Sequence, residues 1–157
     1  MLSRNKKKSN LGFKKGVTLI ELISVIAIIG IIATVSWVTM IGTKNSANAQ
    51  NACEQVAAMI NKTRNYALSG KVVGVSVPDK FRFGIINSNN AYIDDNIMSQ
   101  LDYLIIPNGV LCSNVSFLYS VPYGNCSGTA NCDMNIDCLS GGASRTVTVT
   151  PNSAVCN

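Results

Sequence analysis

The stretch from Leu22 to Ile41 holds 20 residues and no charge, close behind a cluster of lysines. At 1.5 Å rise per residue a helix of this length spans about 30 Å, the thickness of a bilayer's hydrocarbon core. Its polar members are the small hydroxyls Ser24, Thr34, Ser36 and Thr39, which can bond back to helix carbonyls, and membrane helices tolerate a glycine such as Gly30. Uncharged runs this long mark membrane spans rather than core helices. The chain is expected to enter a membrane.

Charge sets the orientation. The 157 residues carry a net charge of +5, yet residues 1–16 hold six of the 13 bases (Arg4, Lys6, Lys7, Lys8, Lys14, Lys15) and no acid. From Val17 onward seven bases stand against eight acids, so the excess belongs to a leader and nucleic-acid binding is not expected. Such a leader stays cytoplasmic while the remainder crosses the cytoplasmic (inner) membrane as a single-pass protein. All six cysteines (Cys53, Cys112, Cys126, Cys132, Cys138, Cys156) lie beyond the run, in the even number expected of an oxidising compartment. A cleaved secretory signal fits less well. The apolar run is too long, Glu21 stands at its start, and a polar spacer separates it from Ala47-Asn48-Ala49. Histidine is absent, which removes Ser-His-Asp and Cys-His catalysis and His metal sites. No catalytic constellation is present, and an enzyme is not expected.

Glu21 is the residue out of place. An acid at the start of a membrane run asks for a partner or a function. Gly12-Phe13-Lys14-Lys15-Gly16-Val17-Thr18-Leu19-Ile20-Glu21-Leu22 resembles the type III signal of type IV pilins and of the pseudopilins of type II secretion. The resemblance implies cleavage between Gly16 and Val17 by prepilin peptidase and methylation of the new amine, with Glu21 fifth in the mature chain. Val17 departs from the phenylalanine usual in that family. Four residues apart, the new amine and Glu21 would share a helix face. In a filament core each acid could neutralise a neighbour's amine, making charge pairing a register check on assembly.

Beyond Gly42 the pattern becomes amphipathic: Ala49, Ala52, Cys53, Val56, Ile60, Thr63 and Ala67 recur at three- and four-residue spacing. Helix is expected from about Val17 to Leu68, with a C-cap at Ser69-Gly70. Short strands follow, read at Val72–Val77, Lys80–Ile86, Tyr103–Ile106, Val110–Cys112, Val115–Ser120, Arg145–Thr150 and Ala154–Cys156. Asn87-Ser88-Asn89-Asn90 and Asn108-Gly109 are turn signals. The expected organisation is a leader (1–16), a membrane or filament-core helix (17–42), an amphipathic helix (43–70) and an antiparallel β domain (71–157). The fold class is α+β and pilin-like, one long helix packed on a sheet.

The second half resembles the H-type minor pseudopilins and related minor pilins, through Arg64 to Gly70, Pro107-Asn108-Gly109-Val110, Phe117 followed by Gly124, and Val147 to Thr150. The resemblance implies a minor structural subunit with other pilin or pseudopilin subunits and the inner-membrane assembly platform as partners. The alternative is a DNA-binding minor pilin of an uptake pilus. Relatives of that kind use an arginine-rich C-terminal motif, whereas Thr150 to Asn157 contains no base.

The segment 124–142 reads as a polar loop with little apolar content, so crosslinks are expected to order it. At least two bridges are expected, one of them within Cys126–Cys138, with the connectivity left open. Cys53, on the helix stripe, is either a buried thiol or a pin between helix and sheet. Asp133, Asn135 and Asp137 have the alternating oxygens that open a calcium loop, and the pseudopilin resemblance also points to calcium here. Cys138 replaces the turn glycine and Ser144 the final glutamate, so a solvated loop without cofactor is the expectation.

Overall fold

The computed structural model describes residues 16–95, 97, 99–128 and 132–157; the leader 1–15 and the tip of the expected loop, 129–131, lie outside the described residues. Among the described residues one helix, α1 (Leu19–Ser69), is followed by nine strands: β1 (Lys80–Ile86), β2 (Asn90–Asp94), β3 (Gln100–Ile105), β4 (Val110–Cys112), β5 (Val115–Ser120), β6 (Asn125–Gly128), β7 (Met134–Ser140), β8 (Ala143–Val149) and β9 (Ala154–Cys156). The chain divides into two units, one ending at Val38 and the other running from Thr39 to Asn157. The long helix packed on antiparallel sheets is the α+β, pilin-like architecture expected.

Helix α1 ends because Gly70 adopts a left-handed φ of 59°. Lys71 N–H then donates to the Tyr66 carbonyl (3.1 Å) and Gly70 N–H to that of Ala67 (3.3 Å), a Schellman closure. All seven residues of the sequence stripe, Ala49 to Ala67, are buried, joined by Ala57 and Met59. They meet two antiparallel sheets, ordered β3-β2-β1-β5-β6 and β4-β7-β8-β9. The first sheet supplies Phe81, Phe83, Ile93, Phe117 and Tyr119 to the core; the second supplies Val110, Ile136, Val147 and Val149. Tyr66 on the helix meets Phe81 with ring centres 6.0 Å apart.

Several strand expectations need correction. Val72–Val77 is not a strand: Val73 and Ser76 bond to each other around Gly74, which leaves Val75 at an exposed tip. β-Branched residues favour strands only where a neighbouring strand offers bonds and packing. The polar loop 124–142 contains strands β6 and β7, and Ile136 and Cys138 within it are fully buried. Sheet pairing with β8 and β4, rather than crosslinks alone, orders β7. Strand β2 was masked in the sequence by its Asn and Asp ends. Asn108-Gly109 makes a turn, with Val110 N–H donating to the Pro107 carbonyl at 3.1 Å, and this turn carries the chain from one sheet to the other.

Candidate functional site

The site begins at the first turn of α1. Thr18 precedes the helix, and its Oγ1 accepts from the Glu21 backbone N–H at 3.3 Å. The sequence Thr18-Leu19-Ile20-Glu21 is the T-x-x-E pattern of an N-terminal cap. This was legible and was missed. One expectation changes in consequence: helix starts at Leu19, so Val17 lies outside it and does not share a helix face with Glu21. Glu21 still occupies the first turn, where the helix dipole favours a negative charge.

Behind Glu21 the helix is apolar on every side. Leu22, Ile23, Val25, Ile26, Ile28 and Ile29 occupy nearly consecutive positions, pointing all round the axis, and all are exposed. The hydroxyls inside this stretch are turned inward to the backbone. Ser24 Oγ donates to the Glu21 carbonyl (2.9 Å), Thr34 Oγ1 to that of Ile31 (2.8 Å) and Ser36 Oγ to that of Ile32 (2.9 Å). Each polar group thus satisfies itself within the helix, as an apolar surrounding demands. The helix is long and apolar enough to cross a membrane.

The second unit holds the remaining candidates. The six cysteines form three bridges, Cys53–Cys156, Cys112–Cys138 and Cys126–Cys132. Cys53 joins α1 to β9, and Cys112 faces Cys138 across the β4–β7 register. Sequence reasoning missed Asn61, whose side-chain amide both donates to the Ala154 carbonyl and accepts from its N–H, each at 2.9 Å. The side chain of Asn61 thus pairs with β9 as a neighbouring strand would, a role with no local sequence signal. Lys62 on α1 also pairs with Asp102 on β3. Their hydrogen bond is the main reason that the lysine is pushed above, and the carboxyl held below, its ordinary range.

The calcium candidates are not gathered in a loop. Asp133 precedes β7, while Asn135 and Asp137 stand on its exposed face. Extended backbone separates them along the strand, and Asp137 Oδ1 accepts from Thr146 Oγ1 on β8 (2.7 Å). Among the described residues no cluster of three acidic, Cys or His side chains could hold a metal.

Residues 12–37 match the family model described as the prokaryotic N-terminal methylation motif. No curated protein and no solved structure matches the chain. The matched segment contains Gly16, Val17, the Thr18 cap, Glu21 and most of the uncovered apolar helix. The motif thus lies at the head of a helix long and apolar enough to cross a membrane, ahead of a disulfide-bonded α+β domain of pilin-like architecture.

Proposed function

We propose that the protein is a structural, non-enzymatic subunit of a type IV pilus or type II secretion pseudopilus, in the minor class. Prepilin peptidase cuts between Gly16 and Val17 on the cytoplasmic side, and the new amine is methylated. The apolar helix stays on the mature chain, so the subunit waits in the membrane with its disulfide-bonded domain outside until the assembly platform extracts it. In the filament, Glu21 pairs with the amine of a neighbouring subunit. The role needs no bound cofactor. The observation that carries this reading is the methylation motif over residues 12–37, ending inside a helix whose apolar surface is exposed on all sides.

N-terminal sequencing and intact mass of the protein from membranes test the reading. A mature chain starting at Val17 and carrying one methyl group is expected. A chain starting at Gln50 would replace it with a secreted, unanchored protein. Duplex-DNA binding with a steep salt dependence would instead favour the uptake-pilus alternative.

A further inference from the structure

We infer that the outer face of the five-stranded sheet is a binding cleft for a neutral, polyhydroxylated ligand of the oligosaccharide class. Two open hollows meet there and share Ile86 and Tyr92 as a common wall. One, of about 280 Å³, is lined further by Asn90, Asp94, Gln100 and Tyr103. The other, of about 630 Å³, runs on to Asn114 and Asn135 at the junction with the second sheet. The larger falls within the roughly 300–1,000 Å³ of small-ligand sites, and the smaller just below it.

The floor of the cleft is built around a missing side chain. Gly84 is the register partner of Tyr92, and a Cβ on it would come within 2.4 Å of Tyr92 Cζ. The tyrosine ring therefore lies against bare backbone in the middle of the sheet, and glycine inside a strand marks such a close approach. One step along the same face, Arg82 Nε donates to Asp94 Oδ1 at 3.0 Å, pairing the charges next to the ring. The end of the cleft is braced by the β1–β2 turn, where Ser88 N–H donates to Asn114 Oδ1 at 2.8 Å. Tyr103 Oη donates to Asn90 Oδ1 at 2.7 Å. Both bonds use the amide oxygen and hold the side chain in place, leaving its NH2 group for a ligand. Gln100 and Asn135 are exposed at the two ends.

The chemistry selects the ligand. Aromatic rings offer faces to the apolar C–H surface of a sugar, and planar amides offer paired donor and acceptor to neighbouring hydroxyls. No Lys lines either hollow, and the one Arg alongside is already paired, so polyanions find no counter-charge. An added peptide strand needs a free sheet edge. The free edge here is β3, whereas Tyr92 stands on β2, which is paired on both sides, so an added strand would lie beside the cleft and leave Tyr92 uncovered. The inference does not depend on filament assembly.

The test uses the full chain in lipid nanodiscs free of glycoside detergent, titrated calorimetrically with cellohexaose, maltohexaose and chitohexaose. Hexagalacturonate serves as the charged control. At least one neutral hexaose should bind with an affinity that salt leaves unchanged. Gln100→Ala with Asn135→Ala, both at exposed positions, should weaken it by about tenfold or more. Tyr92→Phe should retain binding and Tyr92→Ala should abolish it. Failure of all three neutral sugars at millimolar concentration overturns the inference, and so does an affinity that the exposed double variant leaves unchanged. Tighter, salt-sensitive binding of hexagalacturonate would also overturn it, in favour of an anion site.

Discussion

In the proposed filament, Glu21 is where one side chain carries the most consequence. Glu21→Val makes the apolar run more continuous, so insertion should survive, and Gly16 with its leader should still direct cleavage. Assembly should fail, because the neighbour's amine would enter the filament core unpaired. Fractionation should show a processed, membrane-resident protein missing from sheared filaments, with Glu21→Gln intermediate because it keeps a hydrogen bond without the charge. Normal recruitment of the Val variant would sink the pairing argument. Gly16→Leu should leave an uncut precursor in the membrane, visible as the larger species on a gel. Gly84 offers a test of packing alone. Gly84→Ala should destabilise the outer domain by about 1–3 kcal/mol, because the new Cβ must displace the Tyr92 ring from its seat. Thermal melting checks this, and Tyr92→Ala in the same chain should recover part of the loss.

Helix α1 and strand β9 are tied more firmly than their lengths suggest. The Cys53–Cys156 bridge closes a separation of 103 residues, and Asn61 adds two backbone bonds beside it. Chain entropy makes the long closure worth about 2.5 kcal/mol more than the Cys126–Cys132 bridge, whose separation is 6. Alanine pairs at each bridge, compared in denaturant melts, should therefore rank in that order. The Lys62–Asp102 pair ties α1 to β3 and brings a pH dependence. Asp102 has a lowered folded pKa, so its contribution is present above the unfolded value near 3.8 and fades as pH falls through the folded one. Lys62 has a raised folded pKa, so the same contribution holds below 10.5 and fades as pH rises past the folded value. Both side chains are partly exposed, and solvent screening limits the effect to about 0.2–1 kcal/mol. Asp102→Asn should flatten that part of the stability–pH curve.

Taken whole, the chain joins an apolar helix long enough to cross a membrane to a domain closed by three disulfide bridges. Thiol labelling of protein from the envelope should find no reactive cysteine until reduction, since the three bridges use all six. Labelling of several thiols before reduction would contradict that arrangement. The two units should also melt separately. Backbone bonds of the apolar helix are closed within itself, whereas β9 depends on a bridge from 103 residues away. Heating the reduced protein in nanodiscs should erase the β-sheet circular-dichroism signal while a helical signal persists.

The methylation motif and the apolar helix behind it were legible in advance, because they rest on local rules. An uncharged run, a flanking charge cluster, a glutamate at its start and a cap at Thr18 act within a turn or two of helix, and α1 ends at the glycine the pattern indicated. Strands β1, β4, β5 and β9 match their expected bounds for the same reason: each has β-branched, aromatic or alternating residues of its own. What the chain's order concealed are relations between distant residues. Met134–Ser140 is polar enough to read as a loop, and it is a strand because β8 and β4 supply its partners. Val72–Val77 has the right residues for a strand and finds no strand beside it. Asn61 on β9, Cys53 with Cys156, and Tyr92 over Gly84 depend on register and closure across the fold. Propensity is a property of neighbours in the chain; pairing, burial and a cleft's lining belong to neighbours in space.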